Sequence, residues 1–281
     1  MTQTYINHNG SVIKSDQTIV TAENRGLRYG DGLFETMRVS EGVIRLASLH
    51  FERLLEGCRR LKFELPALFS PENLGSQILA LCHRNGHLRS ARVRLMVFRG
   101  EGGLYDPVSL RPHYVIQTWA LPVAGRDIHE NGLVTAIFED GRKACDQFSN
   151  LKSASFLLYA MAALHARENR LNDVLILNSH DRICESTIAN IFWVKEGLIH
   201  TPPLTEGCVA GVMRNFIFRL ASSLNIPISE DILHPEDLSG ASEVFLTNAI
   251  QGIRWIYRLE DHTFSNQFSR DLYRKVMENI F

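Results

Sequence analysis

The chain lacks the features that would place it in a membrane, on a nucleic acid or in a secretory pathway. No apolar run approaches the roughly 18–20 residues that a membrane-spanning helix needs, and the polar start MTQTYINHNG has no charged-then-apolar signal pattern. Lys and Arg total 30 and Asp and Glu total 31, and this net charge of −1 gives no electrostatic argument for a nucleic-acid or membrane partner. We therefore expect a soluble globular protein.

Metal-binding, disulfide and nucleotide motifs are also missing. The five cysteines are odd in number and have no C-x-x-C spacing, which argues against a zinc site or a disulfide framework. Reduced thiols are typical of the cytoplasm, so a cytoplasmic protein without a metal is expected. Neither G-x-x-x-x-G-K-[ST] nor G-x-G-x-x-G occurs, and the sequence thus supports neither a P-loop nor a Rossmann nucleotide site.

Strand and helix patterns alternate along the whole chain. YINHNGSVI and GLFETMRVSEGVIRL predict hairpins that turn at Asn9-Gly10 and Glu41-Gly42. The segment ALPVAGRDIHENG interrupts the strand pattern with proline and glycine, as linkers do. We predict a mixed α/β (α+β) fold with an N-terminal domain over residues 1–121 and a C-terminal domain over residues 122–281.

Lys152 stands in QFSNLKSASFLLYAMAALHARENR, just before an apolar helical pattern. With Ser153 as the N-cap, the lysine would lie at the positive end of that helix, which disfavours the ammonium form. A neutral amine is the form that adds to a carbonyl group. Considered alone, Lys152 is better explained as an ordinary surface lysine beside a helix.

Three further segments have polar residues with two readings each. Glu185, in DRICESTIANIFWV, is either a buried acid with a cationic partner or a turn glutamate paired with Arg182. Arg53, in LHFERLLEG, either points inward to bind a phosphate or pairs on the surface with a neighbouring glutamate. TEGCVAGVMRNF is a glycine-containing turn before a helix that begins near Val212, which is either a phosphate site or a plain cap.

Taken in order, the segments RGLRYGDGLFET, LHFERL, NLKSAS, ESTIANIFW, TEGCVAGVMR and FLTNA resemble the class IV aminotransferases. These enzymes depend on pyridoxal 5'-phosphate and have the D-amino-acid aminotransferase fold. The resemblance extends from Gly26 to about Ile253. It implies a homodimer with an active site between the two domains, and it includes branched-chain and D-amino-acid aminotransferases and aminodeoxychorismate lyases.

The resemblance also implies roles for individual residues. Lys152 matches the Schiff-base lysine that moves the substrate proton, and Glu185 matches the carboxylate that bonds the pyridine nitrogen. Arg53 matches the phosphate arginine. The backbone N–H groups of Val212 and Met213 match the phosphate-binding helix start.

Other positions match the rest of the cofactor and substrate site. Asn248 and Ala249 match the loop that closes over the phosphate and substrate, and Tyr29 and Arg94 match residues that shape the substrate pocket. Ser155 matches a position that often holds a polar residue near the cofactor.

Two departures leave substrate and chemistry open. Branched-chain enzymes have a tyrosine that contacts the phenolic oxygen of the cofactor, where this chain has Leu157, with Tyr159 two residues further on. The NA pair of FLTNA and the GEGG loop resemble the lyases, which release pyruvate and form 4-aminobenzoate for folate synthesis. Transamination is the primary prediction, the lyase reaction is the alternative, and an inert cofactor-binding protein is the third.

Overall fold

The computed structural model describes residues 4–123, 125 and 127–280, and the chain divides into two compact units. The first unit is Met1–Ala124 together with Lys152–Ser155, and the second is Gly125–Leu151 with Phe156–Phe281. Strands and helices alternate in both, which confirms the mixed α/β class. The domain division at residues 121 and 122 stays a prediction.

The first unit is an antiparallel sheet against which its helices pack. Its six strands have the order β2-β1-β6-β5-β3-β4. The elements are β1 (Tyr5–His8), β2 (Ser11–Lys14), α1 (Arg25–Tyr29), β3 (Gly32–Ser40), β4 (Val43–Ile44), α2 (Ala47–Arg60), α3 (Pro71–Arg84), β5 (Ser90–Arg99) and β6 (Pro112–Ala120).

Both predicted hairpins are present in this unit. Asn9 and Gly10 have φ values of 51° and 91°, and Glu41 and Gly42 have φ values of 48° and 73°. Two successive residues with positive φ are typical of the tight turn whose twist matches that of the flanking strands. β1 therefore pairs with β2, and β3 with β4, as antiparallel hairpins that turn at the predicted residues.

The segment Lys152–Ser155 pairs with the start of β3. The N–H of Phe34 donates to the carbonyl of Lys152 at 3.0 Å, and the N–H of Ala154 donates to the carbonyl of Gly32 at 2.9 Å. Because β4 pairs only with the end of β3, this edge at Gly32–Phe34 is available to a segment distant in sequence.

The second unit is a larger mixed sheet, with strand order β12-β11-β10-β13-β14-β7-β8-β9 and β15 paired to β14. Its strands are β7 (Leu133–Lys143), β8 (Asp173–Asn178), β9 (Ile183–Ser186), β10 (Asn190–Lys195), β11 (Leu198–Thr201), β12 (Ile228–Glu230), β13 (Glu243–Asn248), β14 (Gly252–Leu259) and β15 (His262–Thr263). Its helices are α4 (Leu157–Glu168), α5 (Val212–Ser223) and α6 (Gln267–Ile280).

Strand β8 lies in the interior of this unit and is buried along its whole length. Leu175 and Leu177 face one apolar cluster, and Val174 and Ile176 face another that includes helix α4. Successive side chains of a strand point to opposite faces, so the residues between the two polar ends of this strand are all apolar. In the part of the chain described here, no helix combines the length and apolar character that crossing a membrane requires.

The predicted start of the helix after Lys152 is wrong. Helix α4 begins at Leu157 and is preceded by Phe156, with no side-chain cap. Ser153 forms a β-bridge with Leu33 instead of capping the helix. Lys152 therefore lies in an extended segment, and the helix-dipole argument for its reactivity does not apply.

Candidate active site

Lys152 is partly buried against an aromatic ring of β3. Its Nζ lies 4.6 Å from the ring centroid of Phe34, and the guanidinium carbon of Arg94 lies 3.8 Å from the same centroid. The negative face of an aromatic ring attracts cations at these distances. Burial lowers the pKa of Arg94, and repulsion from Arg92 lowers it further. This face of the sheet therefore carries concentrated positive charge, which favours an anionic partner.

Gly30, which follows Tyr29 in the chain, lies against the backbone of Ser155. Gly30 has a φ of 64°, and a Cβ placed on it would approach the backbone of Ser155 to 3.3 Å. Tyr29 remains 38% exposed and its ring lies near the guanidinium groups of Arg25 and Arg28. A partly exposed tyrosine with a fixed backbone is available to line a pocket.

Arg53 points inward from α2 toward Glu35 of β3. Its Nε donates to Oε1 of Glu35 at 2.7 Å and its terminal nitrogen donates to Oε2 at 2.6 Å. His50 Nδ1 lies 2.7 Å from the same Oε2. The surface reading of Arg53 is therefore wrong, since the arginine is fixed by a buried acid 18 residues earlier.

The buried contacts of Glu35 with Arg53 and His50 predict that the folded protein loses stability in acid. Burial would raise the pKa of Glu35, but the charges and hydrogen bonds of Arg53 and His50 lower it from 4.5 to about 2. A depressed pKa contributes roughly 3 kcal/mol of stability above pH ~4.5, which is lost as the pH falls toward ~2. Denaturant unfolding between about pH 2.5 and 6 should therefore show a steep loss of stability that Glu35→Gln reduces. Glu23→Gln is the matched surface control, and an equal slope in wild type and Glu35→Gln would contradict the assignment.

Glu185 is 3% exposed and lies in β9, where three groups donate to its carboxylate. Lys143 and the hydroxyl of Tyr159 both donate to Oε1, the latter at 2.6 Å. The N–H of Val209 donates to Oε2 at 2.9 Å. The turn-glutamate reading is wrong because Arg182 pairs instead with Glu206.

Lys143 and Tyr159 are the contacts that the sequence did not predict. They lie 42 residues before and 26 residues before Glu185. Burial raises the pKa of Tyr159, and the charge of Glu185 raises it further, so the phenol stays protonated and donates. Tyr159 belongs to an apolar helix, and its spacing there indicates only a core residue.

Helix α5 begins at Val212, as predicted, and no side chain caps its N-terminus. Gly211 is the N-cap residue, and a Cβ at that position would come within 1.8 Å of Asn190 Oδ1. Asn190 in turn donates to the carbonyl of Val209 at 2.9 Å. The first N–H groups of the helix, including those of Val212 and Met213, are the groups that a helix leaves without an intrahelical acceptor.

The turn before α5 is held rigidly by polar contacts. Gly207 has a φ of 84°, and a Cβ there would lie 2.4 Å from the carbonyl oxygen of Ala144. Asn150 donates to the carbonyls of Leu204 and Cys208 at 2.8 and 2.7 Å. Glycine is therefore required at position 207, because a side chain there would be strained at this φ and would clash with the backbone of Ala144.

Asn248 ends β13, and its side chain shapes the following turn. Its Oδ1 accepts hydrogen bonds from the N–H groups of Ile250 and Gln251 at 3.0 and 2.8 Å. Ala249 is the partly buried residue inside this turn. The structure thus uses the Asn248 side chain locally, and its contact with a cofactor stays a prediction.

The second unit provides donors and acceptors that suit a phosphorylated pyridine. Glu185 offers carboxylate oxygens that can accept a hydrogen bond from a protonated ring nitrogen, and α5 offers N–H groups and a positive dipole to a phosphate. Val209 connects the two, since its N–H bonds Glu185 and its carbonyl bonds Asn190. Among the residues with described positions, no group of three or more His, Cys, Asp or Glu side chains is arranged to hold a metal.

Comparisons with known proteins agree with this chemistry. Residues 32–259 match the family described as amino-transferase class IV. The branched-chain-amino-acid aminotransferase of Escherichia coli K12 is 26% identical over 253 residues, covering 86% of this chain and 81% of that protein. The D-alanine aminotransferase of Bacillus licheniformis is 23% identical over 260 residues, covering 92% and 89%.

A solved structure has the same fold. The branched-chain aminotransferase of the thermophilic archaeon Thermoproteus uzoniensis, solved with norvaline, superposes with a TM-score of 0.88 at 21% identity, covering 99% of this chain and 95% of that chain. The resemblance seen in the sequence motifs is confirmed, and the comparisons favour an aminotransferase over the lyase alternative. Because the family match spans most of the chain, this protein is a member of the class IV aminotransferases.

Proposed function

We propose that the protein binds pyridoxal 5'-phosphate and transfers an amino group between a branched-chain amino acid and a 2-keto acid. The observation that carries the cofactor assignment is the buried Glu185, whose remaining hydrogen-bonding capacity suits a protonated pyridine nitrogen. When bound, that cofactor withdraws electrons from the α-carbon of the amino acid. The E. coli relative supports the branched-chain substrate class.

Separate residues of this chain hold the cofactor, move the proton and bind the phosphate. Lys152 holds the cofactor and moves the α-proton, and Glu185 keeps the ring nitrogen protonated. Arg53 and the N–H groups of Val212 and Met213 bind the phosphate. A helix start without a side-chain cap and an arginine oriented by Glu35 both suit an anion.

The pocket residues orient the substrate. Arg94 supplies positive charge for a carboxylate, and Tyr29 and Ala249 border the space for the side chain. Ser155 and Asn248 lie in the segments that flank the cofactor. Arg94 suits its role because its guanidinium lies over the ring of Phe34, in a region of positive charge.

A half-reaction screen tests this proposal. Holoenzyme is mixed with single L- or D-amino acids or with aminodeoxychorismate, and the cofactor absorption spectrum is followed while pyruvate is assayed. Branched-chain amino acids are expected to convert the cofactor to its amine form. Release of pyruvate from aminodeoxychorismate alone would identify the lyase, and a spectrum that no donor changes would identify an inert protein.

We also propose a cytoplasmic homodimer that binds neither nucleic acid nor membrane. The five cysteines are free thiols, which suits a reducing compartment. Leu157, Met161 and Leu164 are 74%, 49% and 47% exposed and form an apolar stripe along α4. Apolar surfaces of this kind are typical of subunit interfaces.

Met161→Glu should dissociate that dimer, because it would bury a charge in an apolar interface. Light scattering is expected to give the mass of one chain for this variant and of two chains for the wild type. Ala163→Glu, on the same helix but away from the stripe, is the matched control and should remain dimeric. A wild-type monomer at all concentrations would contradict the proposal.

A further inference from the structure

We propose that Lys143 and Tyr159 are positioning residues that orient Glu185 toward the ring nitrogen of the cofactor. This inference rests on the proposed function, since it assigns a purpose to groups around the same carboxylate. The carboxylate also joins the ring-nitrogen contact to the phosphate-binding helix through Val209. The three donors to Glu185 come from three different segments of the second unit.

The two side chains occupy one oxygen of the carboxylate. Lys143 Nζ and the Tyr159 hydroxyl both donate to Oε1. Lys143 Nζ also lies 5.2 Å from the ring centroid of Tyr159, so the lysine and the tyrosine stabilise each other. With Oε1 saturated, the carboxylate presents Oε2 to any further donor.

The second oxygen is fixed by the backbone. Oε2 accepts from the N–H of Val209 at 2.9 Å, and a carboxylate oxygen can accept more than one hydrogen bond. The remaining capacity of Oε2 is therefore the acceptor for the ring N–H. Because Val209 lies two residues before the N-cap of α5, the acid and the helix start are held in one arrangement.

Burial makes the lysine essential to this arrangement. Lys143 is 8% exposed and Glu185 is 3% exposed. An isolated buried carboxylate takes up a proton or rotates toward another donor, and either change removes the acceptor that the ring nitrogen needs. Tyr159 is itself held by Phe156, whose ring stacks on it at a centroid distance of 4.4 Å.

Cofactor binding to cofactor-depleted full-length enzyme tests the inference. Lys143→Met and Tyr159→Phe are compared by fluorescence titration with pyridoxal 5'-phosphate and with an analogue that has carbon in place of the ring nitrogen. Loss of a hydrogen bond to a charged group predicts an affinity for the natural cofactor about 10- to 100-fold weaker in Lys143→Met. Affinity for the carbon analogue should change less than about twofold, because that analogue has no ring N–H for Glu185 to accept.

The matched controls separate positioning from folding. Lys195→Met removes an exposed lysine of the same unit and should bind both compounds like the wild type. Lys143→Arg retains the charge and should recover most of the natural-cofactor affinity. In the loaded enzyme, kcat of Lys143→Met should fall more than KM rises.

Two outcomes of the titrations overturn the inference. An equal loss for both compounds would show that Lys143 only supports the fold, and unchanged affinity for both would show that Glu185 needs no help. Tyr159→Phe preserves the ring and its packing, so it gives the same discrimination if Lys143→Met does not fold. Failure of the wild type to bind pyridoxal 5'-phosphate would instead refute the proposed function itself.

Discussion

Lys152→Ala is expected to lose the visible absorption band of the cofactor and at least about 10³-fold in transamination rate. The substitution removes the amine that holds the cofactor and moves the proton. The substitution does not change the backbone carbonyl at position 152, which still accepts from the N–H of Phe34, so the pairing with β3 is retained. Absorption spectra and stopped-flow half-reactions measure the two effects.

Lys275→Ala is the control for that result, since Lys275 is an exposed lysine of α6. It should match the wild type in spectrum and rate. A Lys152→Ala enzyme that keeps both the band and the rate would show that another amine does the chemistry. Unchanged thermal unfolding of the cofactor-free variant would confirm that the loss is chemical.

Glu185→Gln is expected to reduce both rate and stability, for two separable reasons. The amide cannot keep the ring nitrogen protonated, which predicts a loss of about 10²–10³-fold in kcat. It also leaves Lys143 buried without its anion, which costs about 3–5 kcal/mol in the free energy of unfolding. Urea unfolding of the cofactor-free protein isolates the second effect.

The double variant Lys143→Met/Glu185→Gln distinguishes these contributions. Without the buried cation, most of the lost stability should return, whereas the rate should stay low because the acid is still missing. Wild-type turnover in Glu185→Gln would show that another carboxylate bonds the ring. A double variant as unstable as the single one would show that the ion pair is not what stabilises this region.

Local chemistry explains why much of the fold was predictable. The hairpins at Asn9-Gly10 and Glu41-Gly42 were predicted correctly because each turn is determined by the conformational preference of its own residues. Strand β8 and the start of α5 follow equally local signals, a short apolar run and a glycine before a helix. These elements depend little on distant parts of the chain.

The errors occurred where distant residues decide the structure. Ser153 has the side chain of a typical N-cap residue, but its backbone pairs with the distant strand β3. Because of this pairing, the helix begins only at Leu157. The helical spacing of apolar residues predicted that Tyr159 lies on a helix, but it did not indicate that the hydroxyl contacts Glu185. For Arg53, the sequence offered nearby glutamates on the same helix, whereas the true partner is Glu35 on a strand. Single-sequence patterns do not contain such tertiary pairings.

The placement of Lys152–Ser155 in the first unit has a consequence for dissecting the protein genetically. The polypeptide leaves that unit near residue 124, returns for the short segment Lys152–Ser155 and leaves again, so the unit is discontinuous in sequence. A gene fragment ending at residue 124 would encode a sheet whose β3 edge lacks the segment that pairs with Gly32 and Phe34. The first half of the gene is thus not a self-sufficient unit, and recombination that exchanges either half must preserve the pairing of this short segment with β3.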